Sequence, residues 1–71
     1  MTREQRLTMA NAAMERAADL ARDAELHARH SESRHRAQPL AAAGALWVAI
    51  ARGHADIAVL LPEDAQEDTD V

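Results

Sequence analysis

Small apolar side chains recur at helical spacing through the first part of the chain. They lie three or four residues apart, which places them on one face of an α-helix. The stripe consists of Leu7, Ala10, Ala13, Met14, Ala17, Leu20, Ala21, Ala24 and Ala28. Two columns within it repeat every seven residues, namely Leu7, Met14, Ala21 and Ala28, and Ala10, Ala17 and Ala24. We therefore predict a heptad seam of mostly small residues, which would let a second helix approach closely.

The start and the polar side of this first helix are also marked. Thr2 can cap the helix, and Gln5 can return a hydrogen bond to the Thr2 amide as in a capping box. The charged residues opposite the stripe are Arg16, Asp19, Arg22, Asp23, Glu25 and Arg29. A polar run at residues 31–36 then interrupts the apolar pattern, so the first helix is predicted over about residues 2–31.

A turn is predicted between residues 31 and 38. Pro39 disfavours helical geometry at Gln38, the residue before it, but suits the first position of a helix. A single helix that continues through a kink at Pro39 is the competing interpretation.

The second helix, predicted over about residues 39–61, is apolar on nearly every side. Its bulky ridge is Leu40, Ala43, Leu46, Trp47, Ile50, Ile57, Leu60 and Leu61, and its ridge of small residues is Ala41, Ala45, Ala49 and Gly53. A helix that is apolar all round is a buried helix, whereas a two-helix hairpin covers only one face of each helix. We predict an all-α fold in which an antiparallel two-helix hairpin completes a four-helix bundle by dimerisation.

The partner in this prediction is a second copy of the chain or a different protein. The predicted interface residues are Leu40, Leu46, Trp47, Ile50, Gly53, His54, Ile57 and Leu61. Trp47 is the only aromatic residue, and it either anchors this interface or fills the core within the hairpin. His54 with its neighbours Arg52 and Asp56 is assigned to fixing the register of the bundle.

The apolar run of the second helix is too short to predict a membrane span. It extends for about a dozen residues from Leu40, short of the ~20 needed to cross a bilayer, and Arg52, His54 and Asp56 interrupt it. The N-terminal residues MTREQRLT lack the apolar centre of a secretory signal. We therefore expect a cytoplasmic protein with no membrane partner.

Composition excludes several kinds of chemistry. The chain of 71 residues has no Cys, and all eight basic residues are Arg, so thiolate metal sites, redox motifs and catalytic lysines are absent. About a quarter of the residues are Ala. With this Ala and Arg bias and its helical patterning, the chain resembles the small helical proteins of high-GC bacteria such as actinobacteria, and of their phages. That resemblance indicates an origin and implies no role for any residue.

The net charge of −4 is concentrated at the C-terminus. Five acidic residues follow Pro62, namely Glu63, Asp64, Glu67, Asp68 and Asp70. We predict a hairpin domain over residues 1–61 and a disordered acidic tail over residues 62–71. The remaining body is close to neutral, which argues against a nucleic-acid binder because such proteins need a sustained basic face.

One short segment offers alternatives to an interaction module. Arg29, Arg34 and Arg36 could receive a phosphate, a nucleic acid or an acidic segment. A second set, His27, His30 and His35, contains weak candidates for metal ligands. Glu32 could add a further metal ligand, but short helical pairs of His are common by chance. An anion-binding or a His-based metal-binding protein is therefore the alternative, while no enzyme activity or cofactor is predicted.

Overall fold

The computed structural model describes residues 1–63 and folds them into an antiparallel hairpin of two α-helices. Helix α1 spans Arg3–Ala28, a 3₁₀ turn spans Arg34–Arg36, and helix α2 spans Ala37–Leu60. At 1.5 Å per residue, the helices are about 39 and 36 Å long. The predicted all-helical hairpin is confirmed and the single kinked helix is wrong. Dimerisation into a bundle stays a prediction.

Helix α1 begins with the predicted capping box. The Thr2 hydroxyl accepts a hydrogen bond from the Gln5 amide at 3.1 Å, and the Gln5 side-chain oxygen accepts one from the Thr2 amide at 2.7 Å. The helix ends at Ala28, three residues earlier than predicted, and the Arg29 amide closes the last turn on Leu26.

Helix α2 begins two residues earlier than predicted, so Pro39 is its third residue. The preceding 3₁₀ turn, in which the Arg36 amide donates to the Ser33 carbonyl at 2.9 Å, leads directly into it. Proline is tolerated here because the first turn of a helix needs no amide donor from it. Gln38 is therefore helical although it precedes a proline.

Small side chains form the contact between the helices. The buried residues are Ala10, Ala13, Ala17 and Leu20 on α1, and Gly44, Ala51 and Ala58 on α2. Around them, the half-buried residues continue the same columns: Arg3, Arg6, Ala24 and His27 on α1, and Ala37, Leu40, Trp47, His54 and Leu61 on or beside α2. We call this contact the first seam. Leu20 is its largest buried side chain, so the hairpin core is narrow.

The predicted seam of α1 is half wrong. The column Ala10, Ala17 and Ala24 does face α2, but Leu7 and Met14 are 45% and 48% exposed. Ala21 and Ala28 of that column are exposed as well. The true second column, one residue earlier and about 100° away on the helix, is Arg6, Ala13, Leu20 and His27. Ala13 and Leu20 are buried at the centre of this column, while the half-buried Arg6 and His27 lie at its two ends.

The acidic tail lies mostly outside the described residues. Of the predicted segment, only Pro62 and Glu63 are described, and both are exposed. Arg3 and Glu63 form an ion pair at 3.5 Å, which joins the start of α1 to the residues after α2.

Candidate interaction surface

Helix α2 carries a second apolar seam, of which every member except the half-buried Ala43 is exposed. Its members alternate at intervals of three and four residues: Ala43, Leu46, Ile50, Gly53, Ile57 and Leu60. This is the spacing of a heptad seam between two helices. Each member lies one residue before a residue of the first seam, so the two seams are about 100° apart around α2. We call this set the second seam.

The large side chains of the second seam are exposed in the hairpin. Leu46 is 67% exposed, Ile50 is 44%, Ile57 is 39% and Leu60 is 83%. Within the chain, the buried residues of α2 are Gly44, Ala51 and Ala58 alone. The prediction that this helix is buried on all sides is therefore not met by the single hairpin.

The structure divides the predicted interface residues between the two seams. Leu40, Trp47, His54 and Leu61 are half-buried on the side that meets α1, whereas Leu46, Ile50, Gly53 and Ile57 lie on the second seam. Leu60 and Ala43 complete that seam and were absent from the predicted interface. Leu46, Ile50, Gly53 and Ile57 are spaced alternately by four and three residues. Continuing this spacing by three residues in each direction leads to Ala43 and Leu60.

Trp47 lies between the two seams. It lines a shallow groove that runs along the junction of the helices, with Met9, Ala13 and Arg16 from α1 and Ile50 and His54 from α2. The indole is therefore half in the hairpin core and half available to a partner, which keeps both predicted roles open. The groove on the opposite side is lined by small residues, among them Ala17, Ala21, Ala41 and Gly44.

His54 makes a polar contact with α1 near the end of the hairpin where α1 begins. Arg6 Nη1 lies 3.0 Å from His54 Nδ1, and a guanidinium can only donate. The ring nitrogen Nδ1 therefore accepts, and the ring hydrogen of neutral His54 is on Nε2. Arg6 Nε is buried without a hydrogen-bond partner, which reduces what this contact contributes.

His54 does not act together with its neighbours Arg52 and Asp56, to which the predicted role was also assigned. Within residues 1–63, no hydrogen bond or ion pair joins His54 to Asp56, and Arg52 and Asp56 do not pair although they lie four residues apart. Arg52 and Asp56 are instead exposed on the outer side of α2. The polar contact of His54 lies within the hairpin, between α1 and α2, and a role in the register of a bundle stays a prediction.

The basic turn at residues 29–36 offers little organised chemistry. Arg29 is already paired with Glu25 at 2.8 Å, while Arg34 and Arg36 are exposed. In the described part of the chain, no three His, Asp or Glu side chains are grouped so that they could hold a metal ion. His27 is half-buried in the first seam, whereas His30 and His35 are exposed.

One helical stretch meets the length and composition of a membrane span. It covers Arg34–Leu60, the 3₁₀ turn together with α2, and runs for 27 residues. Core helices of soluble proteins meet the same criteria. Only 17% of its most apolar 18-residue window is buried in the hairpin. Most of this apolar surface is therefore left uncovered by α1, as the exposure of the second seam also shows.

These features define a class: an Ala-seamed helical hairpin with one charged helix and one apolar helix that is only partly covered. No protein-family model matches the chain, and neither the curated proteins nor the solved structures contain a significant match.

Proposed function

We propose that this protein is a non-enzymatic helical interaction module, a small cytoplasmic adaptor or subunit that docks onto another protein chain through the second seam. The observation that carries the proposal is the exposure of four large aliphatic side chains at heptad spacing. Full burial of a Leu or Ile side chain contributes about 1.5–3 kcal/mol. Scaled by the exposed fractions, covering the four would contribute about 5 kcal/mol for each chain.

That amount is large for a chain of this size. A domain of 71 residues has a total stability on the order of 5 kcal/mol. Heptad spacing also favours a helix as the covering element, because knobs spaced by three and four fit the holes of a facing helix.

Site-specific photo-crosslinking tests this proposal. A photoreactive residue in place of Leu46 should give discrete protein adducts in cells. The matched position is Leu26, which is 53% exposed on α1 and should give none. The adduct at position 46 should disappear when Ile50→Gln and Ile57→Gln are added, because they remove the adjacent apolar contacts.

Two results would overturn the proposal. One is the absence of a discrete protein adduct at position 46. The other is crosslinking to lipid alone, accompanied by flotation of the purified protein with phosphatidylcholine vesicles, which would make α2 a membrane segment.

A further inference from the structure

The second seam has a spacing that fits its own copy. In antiparallel packing of two identical helices, residues pair so that their numbers add to a constant. When that constant is 103, Ala43 faces Leu60 of the second copy, Leu46 faces Ile57, and Ile50 faces Gly53. All six members are then paired. A shift by one heptad in either direction pairs only four of them.

Side-chain size supports the same register. Ile50 faces Gly53. A Cβ built on Gly53 would meet nothing within 4 Å in the hairpin, so there is open space beside this glycine for the Ile50 side chain of the second copy. Leu60, the most exposed member at 83%, faces the small Ala43. Large side chains opposite small ones interdigitate without voids.

Charge distinguishes antiparallel from parallel pairing. The connection between the helices carries Arg34 and Arg36, both exposed. The opposite end of the hairpin carries Glu63, followed in the sequence by Asp64, Glu67, Asp68 and Asp70. Antiparallel pairing brings the basic end of each copy beside the acidic end of the other. Parallel pairing would bring like charges together.

Glu63 cannot reach the basic turn of its own chain. Leu61 and Arg36 are separated by α2, about 37 Å at 1.5 Å per residue, and Glu63 lies beside Arg3 at the opposite end, at 3.5 Å. Glu63 and the basic turn can therefore come close only between two copies.

We infer that the occupant of the second seam is a second copy of this chain, packed antiparallel with Ile50 facing Gly53 and with the Arg34–Arg36 turn beside the end of the partner's α2, close to the partner's Glu63. This inference rests on the proposed function, because it names the partner of the same seam.

Engineered cysteines test the geometry, since the chain has no Cys of its own. Ala43→Cys and Leu60→Cys, one of them carrying a size tag, are oxidised singly and as an equal mixture. We expect the mixture to give the mixed disulfide dimer at least several-fold in excess of either variant alone. A mixture of Leu60→Cys with Ala18→Cys, which is on the exposed side of α1, is the matched control and should show no such excess.

A second measurement uses the charges. Arg34→Glu with Arg36→Glu should raise the Kd for self-association, measured by sedimentation, by about ten-fold at low salt, since each exposed pair contributes modestly. High salt should reduce the difference between the variant and the wild type.

Three results would overturn the inference. Efficient disulfide formation by Leu60→Cys alone would mean parallel packing. Wild-type protein that sediments as a monomer at micromolar concentration would exclude the second copy. Crosslinking from position 46 to a different protein alone would also exclude it, while leaving the proposed function intact.

Discussion

Helices α1 and α2 are nearly equal in length and meet along one seam, yet that contact has different consequences for each. On α1 it covers Leu20 and the buried alanines, and the rest of the helix carries most of the charged residues, with ion pairs such as Arg22–Asp19 and Arg29–Glu25. On α2 it covers Gly44, Ala51 and Ala58 and leaves a ridge of large aliphatic side chains in solvent. Helix α1 also keeps exposed apolar side chains, namely Leu7, Met9, Met14 and Leu26. Only on α2 do four large ones fall at the heptad spacing of one continuous seam.

The comparison separates two roles that hydrophobic residues have in this chain. The smallest ones, Ala and Gly, bring the two helices together. The largest ones, including Leu46 and Leu60, contribute little to the hairpin and remain for a partner. On α2, the fully buried positions are therefore the small residues, and the most exposed positions of the second seam include the large ones.

The largest effect is expected from enlarging a small residue of the first seam. Ala51 is 3% exposed, and Ala51→Leu would force the helices apart. We expect a loss of about 3 kcal/mol in the free energy of unfolding, measured by urea denaturation with circular dichroism. Ala49→Leu, on the exposed side of the same helix, should change it by less than about 0.5 kcal/mol. Equal effects of the two variants would mean that α2 has no closely packed side.

A smaller effect distinguishes the two columns of α1. Leu20 is 6% exposed and Met14 is 48% exposed. Leu20→Ala should therefore lower the free energy of unfolding by about 2–3 kcal/mol, and Met14→Ala by less than about 1 kcal/mol. A larger loss for Met14→Ala than for Leu20→Ala would mean that the column containing Leu7 and Met14 packs against α2.

The sequence predicts the hairpin well because its signals are local. Thr2 and Gln5 form the capping box that their spacing predicts, and the polar run before Pro39 contains the turn. The column Ala10, Ala17 and Ala24 was also predicted. The second column was missed because hydrophobicity ranks Leu7 and Met14 above Arg6 and His27. Only the packed structure shows that the ends of a narrow seam can hold polar residues.

The candidate site was predicted less completely for a related reason. A helix that is apolar on nearly every side has no polar face to set its phase. The predicted interface therefore combined Trp47 and His54, which meet α1, with Leu46 and Ile57, which do not. Separating them requires the position of α1, which a pattern within α2 does not contain.

The contact between Arg6 and His54 should contribute less than either packing effect. Their hydrogen bond at 3.0 Å is half-buried, and such a bond contributes about 1 kcal/mol. A double-mutant cycle with Arg6→Gln and His54→Ala should give a coupling energy of about that size. Strictly additive effects in urea denaturation would show that the two side chains are close without stabilising each other.

The smallest effect compares the two glycines, one on each seam of α2. Glycine inside a helix costs about 0.5–1 kcal/mol relative to alanine. A Cβ on Gly44 would lie 3.6 Å from the Ala17 carbonyl oxygen and from Leu20 Cβ, and a Cβ on Gly53 would meet nothing within 4 Å. In an isolated hairpin, both Gly44→Ala and Gly53→Ala should therefore stabilise by about that amount.

Association of two copies should change the effect of Gly53→Ala but not that of Gly44→Ala. If Gly53 faces Ile50 of a second copy, the added methyl group crowds that contact, and the gain from Gly53→Ala should shrink as the protein concentration rises. The gain from Gly44→Ala should not change, because its surroundings belong to the same chain. Free energies of unfolding measured at two protein concentrations test this difference. Equal gains for Gly53→Ala at both would mean that no helix packs against it, and that the uncovered side of α2 has another occupant.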